Sequence, residues 1–210
     1  MTAHSTALHD NPWLTRSVRI ADVIEEAEGV ATYRLTLDGD TDSTEYGFVP
    51  GQFNMLYLPG VGESAISMSG DASGADGWVH TVRVAGNVTK TLARLAPGDN
   101  LGLRGPFGTG WPVEELPGGD VVVVAGGLGL APLRPLIYHL MHHRDQFGRV
   151  WLICGARTPD GLLFRRDETR RSTPSEPSPV VRSHRPAARS STANDRPESS
   201  VDDTDHPASV

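Results

Sequence analysis

Residues 121–140 read VVVVAGGLGLAPLRPLIYHL. Gly126, Gly127 and Gly129 follow four valines and precede a segment with helical spacing. Glycines placed between a strand and a helix let the backbone turn tightly and approach a ligand. The free N–H groups and the positive end of the helix dipole then favour a phosphate. Gly127-Leu128-Gly129 is therefore a candidate pyrophosphate site; the same residues also suit a ligand-free strand-to-helix turn, and both readings stay open. Pro132 fits the first helical turn, where no N–H is needed, and Pro135 is read as still at the start of the helix. A second stretch, RVAGNVTKTLARL at 83–95, ends a strand at Gly86. Thr89 is expected to be the N-cap of a short helix, which either takes a second phosphate or is simply a capped helix.

Other reactive side chains read more plainly. His139, His142 and His143 are expected at the exposed C-terminal end of the helix, where the dipole favours histidine, rather than around a metal. Trp78 and Trp111 are read as core or rim packing, and Cys154 as a small hydrophobe in a buried strand. No Ser–His–Asp triad or carboxylate pair stands out, and no metal site is expected.

These residues need a scaffold, and the pattern changes character at Asp120. Before it, SVRIADVIEEAEGVATYRLTLDG gives two alternating stretches about a turn near Gly29. GFVPGQFNMLYLPG, ISMSG and WVHTVRVAG add short strands bounded by Gly and Pro, the pattern of an antiparallel barrel or sandwich. TKTLARL is the one helical candidate in this half. After Asp120, DVVVVAG is a continuous apolar run, expected to be buried on both faces of a parallel sheet. A helix ending near Gly148 and a second buried strand, RVWLICGA, complete a βαβ unit.

The chain has 210 residues, a formal net charge of −7 and 38% hydrophobic residues. Its acidic balance argues against a nucleic-acid partner. No apolar run reaches membrane-spanning length, and the N-terminus lacks a secretory pattern, so a cytoplasmic location is expected. Cys154 is the single cysteine, so neither an internal disulfide nor a Cys-only iron–sulfur cluster is possible. From Thr169 to Val210 there is no Leu, Ile, Met, Phe, Trp or Tyr, and this tail is expected to be disordered.

Taken in order, PGQF, ISMSG, GNVTKTLARLAPGD, LRGPFG and VAGGLGLAPLRPLIYHL…LICGAR resemble the ferredoxin–NADP reductase superfamily. The likeness is to the gamma subunits of nickel–iron hydrogenases and sulfhydrogenases, which are similar to the electron-transfer subunit of dihydroorotate dehydrogenase. It implies an antiparallel, Greek-key-like flavin barrel over 13–117, then a parallel-sheet nucleotide region over 118–168, with the tail at 169–210. FAD and NAD(P)H would be the cofactors, with no iron–sulfur cluster in this chain. The resemblance places Ile66, Ser67 and Met68 along the flavin, with Ser67 near its N5. It places Gly86, Val88 and Thr89 at the flavin pyrophosphate. Gly126, Gly127, Leu128, Gly129, Ala131 and Pro132 fall at the nicotinamide nucleotide, and Gly155 and Arg157 at the end of the next strand. The implied activity is an FAD-dependent NAD(P)H oxidoreductase subunit. It would pass electrons to an iron–sulfur protein and hydrogenase-type subunits in a hetero-oligomer. Two departures stand out. Ser64 replaces the usual Arg that anchors the flavin phosphates. The family pattern also stops after GLLFRRDE, so the nucleotide region is expected to be truncated near Glu168. A non-catalytic remnant or docking subunit is the alternative.

Overall fold

The computed structural model describes residues 13–37, 47–74 and 77–165; the tail expected at 169–210 lies outside them. Six strands form an antiparallel sheet: β1 (Arg16–Ala27), β2 (Val30–Leu37), β3 (Phe53–Leu58), β4 (Gly62–Ser67), β5 (Trp78–Arg83) and β6 (Asn100–Phe107). Their spatial order is β4-β3-β6-β1-β2-β5. The expected turn at Gly29 joins β1 to β2 with φ +67°. The two edge strands approach at one end, where Met68, just past β4, makes an isolated bridge to His80 of β5.

Alternation along the strands builds the core. Val18 and Ile20 of β1, Tyr33 and Leu35 of β2, Leu56 of β3 and Leu101 and Leu103 of β6 are buried together with Met68 and Trp78. Each such aliphatic side chain contributes roughly 1.5–3 kcal/mol by leaving water. Trp78 is thus a core residue. Helix α1 (Asn87–Leu92) packs against β3 and β4 and buries Leu92 in this core.

Thr89 does not cap α1 from its first position. Gly86 occupies the N-cap, and Thr89 sits three residues on. Its Oγ1 reaches back to accept the N–H groups of Ala85 at 2.9 Å and Gly86 at 3.1 Å. A hydroxyl at this position satisfies donors ahead of the helix, which the N-cap expectation overlooked.

The second sheet has two parallel strands, β7 (Val121–Gly126) and β8 (Val150–Gly155), joined by α2 (Leu130–His142). Val121 and Val123 pack with Leu136 and Leu140 of α2 and with Phe147. The expectation that these strands are buried on both faces fails. Val122 is 58% exposed and Val124 65%, and Trp151 and Ile153 are about half exposed, because α2 covers one face only. Cys154 is half-buried rather than buried. Helix α2 stops at His142, earlier than Gly148, and a separate 3-10 turn covers Arg144–Gln146. Pro135 lies inside the helix, past its first turn, and is buried. His142 and His143 are exposed at the helix end, as expected, and His139 is half-buried. No helix among the described residues is long and apolar enough to cross a membrane, and none of their His, Cys, Asp and Glu side chains group as a metal site.

Candidate functional site

Strands β7 and β8 run in register, so Gly126 stands opposite Gly155 at their carboxyl ends. Gly127–Gly129 form a 3-10 turn that leads directly into α2. Gly127 has φ +50°, a conformation L side chains rarely adopt. A Cβ added at Gly126, Gly129 or Gly155 would meet nothing within 4 Å. The space above these backbones is therefore open, as a ligand that approaches the main chain requires. A small cleft beside them is lined by Ala125, Gly127, Leu130, Cys154, Gly155 and Leu163. Arg157 is exposed just beyond β8. Ala131 faces elsewhere: it is buried against Val30, Leu163 and Phe164. Pro132 offers its carbonyl to the indole N–H of Trp111 at 3.4 Å.

The residues expected at the flavin divide between the two ends of β4. Ile66 and Ser67 end β4, and α1 brings Val88 beside the start of the same strand: a Cβ on Gly62 would stand 3.7 Å from Val88 Cγ2. A Cβ on Gly86 would meet nothing within 4 Å. Met68 is only 1% exposed and belongs to the core, and its N–H donates to the Gln52 carbonyl at 3.0 Å.

Beneath this strand lies a buried polar pair absent from the sequence reading. His80 and Asn54 are both fully buried. His80 Nδ1 donates to the Ser67 carbonyl at 3.1 Å, so its Nε2 is the acceptor for the Asn54 amide at 3.3 Å. The same amide reaches Met68 Sδ at 3.1 Å. Burial pushes the His80 imidazole down to about 4, against hydrogen bonds to Ser67 and Ile66 that favour its charged form. The pair thus fixes the Ser67–Met68 peptide from below. Asn54 could have been suspected from its place in FNMLYL, where a polar residue alternates with apolar ones on the inward face.

Arg104 does not take the role of the missing arginine at Ser64. Its Nε donates to Glu63 Oε2 at 2.9 Å, and its guanidinium lies over the rings of Trp13 and Phe107. The hydrogen bond from Arg104 holds the Glu63 carboxyl below the usual range. Glu63 and Ser64 are neighbours on a strand and point to opposite faces.

Two contacts tie the sheets together near these sites. His142 Nε2 and Asp71 Oδ2 are 2.6 Å apart. Burial alone would raise the Asp71 carboxyl, but hydrogen bonds from His142 and Ser73 outweigh it and hold it low. The second contact joins Glu26 of β1 to the backbone of Phe164 at 3.0 Å.

The family described as oxidoreductase NAD-binding domain matches residues 123–203. That match runs past Glu168, where the sequence reading ends the likeness. The chain is 36% identical over 156 residues to sulfhydrogenase 1 subunit gamma of Pyrococcus furiosus, covering 74% of this chain and 53% of that one. It is 39% identical over 146 residues to a probable dihydroorotate dehydrogenase B electron-transfer subunit of Methanocaldococcus jannaschii, covering 70% and 49%. The solved phthalate dioxygenase reductase superposes with a TM-score of 0.67 at 18% identity, covering 85% of this chain and 54% of that one. Residues 123–203 thus carry the oxidoreductase NAD-binding pattern, and the chain as a whole resembles the ferredoxin reductase superfamily in sequence and fold. Its antiparallel sheet and small parallel sheet fit a ferredoxin reductase-like fold, and it spans about half the length of the curated relatives it matches.

Proposed function

We propose that the chain is the flavin- and nicotinamide-binding part of an electron-transfer oxidoreductase. The observation that carries this is the open glycine cradle of Gly126, Gly129 and Gly155 at the carboxyl ends of two parallel strands. Its relatives support the reading as named subunits of a sulfhydrogenase and of dihydroorotate dehydrogenase B. In this proposal residues 13–117 curl into the flavin barrel and 118–168 hold the nucleotide. FAD fits the first region in one respect that the structure carries: the Gly86 backbone is open where a phosphate would approach. A flavin held there would supply hydride acceptance from reduced nicotinamide and one-electron release.

The side chains bind and orient. Ile66, Ser67 and the Met68 backbone would line the flavin, with the Ser67 hydroxyl offered towards its N5 edge. The His80–Asn54 pair keeps that strand fixed. Gly86, Val88 and Thr89 shape the flavin pyrophosphate region. With Ser64 in place of an arginine, the flavin phosphates lose one charged anchor and FAD binds more weakly. Gly126, Gly127, Leu128 and Gly129 receive the nucleotide pyrophosphate, Ala131 and Pro132 hold the turn that presents them, and Arg157 pairs a phosphate beside Gly155. No residue of the site needs to act as general acid or base. Electrons leave to an iron–sulfur protein and hydrogenase-type subunits of a hetero-oligomer in the cytoplasm.

Reconstitution with FAD tests the reading. A bound flavin spectrum that bleaches on NADH or NADPH supports it; a chain that stays colourless overturns it. Gly129→Val separates the two cofactors. The fold has room for the side chain, since a Cβ at this position meets nothing within 4 Å. The ligand does not, so NAD(P)H affinity should fall by at least about tenfold, or ~1.4 kcal/mol, with flavin retained. Wild-type kinetics in this variant would make the turn structural.

The uncovered face of Val122, Val124, Trp151 and Ile153 favours a second reading, a non-catalytic docking subunit. Sustained reduction of a dye acceptor by NAD(P)H would exclude it.

A further inference from the structure

The Glu26 carboxylate joins the antiparallel sheet to the segment that follows β8. One oxygen, Oε1, accepts the Thr32 hydroxyl at 2.8 Å; the other, Oε2, accepts the Phe164 N–H at 3.0 Å. These partners lie far apart in sequence: Thr32 is on β2 of the antiparallel sheet, and Phe164 lies in the segment that follows β8. Phe164 is the only non-glycine residue among those described with positive φ, at +61°. An aromatic residue rarely adopts this conformation without support from its surroundings. The support is visible. Phe164 is 6% exposed, and the Arg134 guanidinium lies 3.9 Å from its ring centroid. Leu163 packs beside it against Val30 and Ala131. The same Leu163, with Leu162, forms one wall of the cleft that faces Gly127 and Gly155.

Glu26 is itself held. Thr32 stands opposite Thr81 in register, their hydroxyls are 2.9 Å apart, and Thr81 continues to Ser69 at 2.9 Å. A carboxylate only accepts, so Thr32 must donate to it, and the hydroxyls behind it take their direction from that end. The anchor is therefore a buried, ordered chain on the antiparallel sheet.

We propose that Glu26 is a positioning residue for the nucleotide cleft. It fixes the left-handed turn at Phe164 and so sets where the Leu162–Leu163 wall stands relative to the glycine loop. The inference rests on the nicotinamide reading of that cleft. Without the carboxylate, the Phe164 N–H loses its acceptor, and only apolar packing against Ala27 and Val30 ties the turn to the antiparallel sheet.

The test compares wild type, Glu26→Ala and Glu26→Gln in the full chain. NADH and NADPH binding is followed by fluorescence titration, and Phe164 amide exchange is followed without ligand. Glu26→Ala should weaken nucleotide binding about tenfold and release the Phe164 amide to exchange. Glu26→Gln keeps one carbonyl acceptor and should stay within about threefold of wild type. A folded Glu26→Ala protein with unchanged nucleotide affinity overturns the proposal, even if it melts earlier. Should wild type bind neither nucleotide, the nicotinamide reading fails. The positioning claim is then decided by exchange alone: unchanged Phe164 protection in Glu26→Ala overturns it, and lost protection supports it.

Discussion

Replacing Gly105 with alanine should destabilise the protein by about 3–5 kcal/mol, a large share of the roughly 5–15 kcal/mol that holds a domain folded. Two effects combine. Gly105 has φ +137°, where a side chain is strained by about 1–3 kcal/mol. A Cβ there would also collide with Asn54 Oδ1 and stand 3.2 Å from the Phe53 carbonyl. Asn54 cannot move freely, because its amide serves His80 and Met68 in a fully buried setting. Displacing it leaves buried polar atoms unpaired, at about 1–3 kcal/mol. Gly60→Ala is the control. Its φ is +74°, but no atom lies within 4 Å of the added Cβ, so it should lose only about 1 kcal/mol. Urea unfolding of both variants checks this. Equal losses would mean that the Asn54 contact contributes nothing.

The second large effect should come from acid. In the folded chain His80 titrates at about 4, whereas its ordinary value is 6.5. Above pH 6.5 both folded and unfolded chains keep it neutral, and its full contribution is present. Between pH 6.5 and about 4 the unfolded chain takes up a proton that the folded chain refuses. Stability therefore falls with falling pH, by up to about 1.4 kcal/mol per pH unit and of order 3 kcal/mol in all. Below about 4 the folded chain is protonated too, and this loss stops growing. His139, lowered mainly by burial and then by His143, titrates in the same direction but is less enclosed. His80→Gln isolates the buried group. Denaturant midpoints measured from pH 7 to 4 should slope less steeply in that variant, and an identical slope would assign the loss elsewhere.

The sequence carried the glycine loop, the hairpin at Gly29 and the parallel βαβ unit clearly, because each depends on neighbours a few residues apart. LRGPFG was legible as a motif, but its reason was not. Gly105 is needed because of Asn54, which lies on another strand, and no local pattern links them. Thr89 was recognised as belonging to the helix start but misplaced by three positions, since a hydroxyl is useful at either end of the first turn: at the N-cap it accepts N–H groups inside the helix, and at the third position it accepts those just ahead of it. The valine run was read as buried on both faces. A continuous apolar strand carries no mark of which face its partners cover, and here α2 covers only the side of Val121 and Val123. Glu26 was invisible for a different reason. Its place in VIEEAEG looks like a solvated hairpin end, and its partner Phe164 comes from the far end of the described chain.

The strand order has a consequence for synthesis. β1 sits inside the sheet, between β2 and β6. β2 follows it at once, but β6 ends only at Phe107, 80 residues after β1 ends at Ala27. From the end of β2 at Leu37 to the end of β6 at Phe107 is 70 residues, so at about 5–20 residues per second the new β1–β2 hairpin waits roughly 3.5–14 s with its β1 edge unpaired. During that interval the backbone of Arg16–Arg19, which will later pair with Asn100–Leu103, is open to any extended chain nearby. Two of the four residues, Arg16 and Arg19, are cationic. Their charge discourages a second nascent copy from pairing there before β6 emerges from the ribosome.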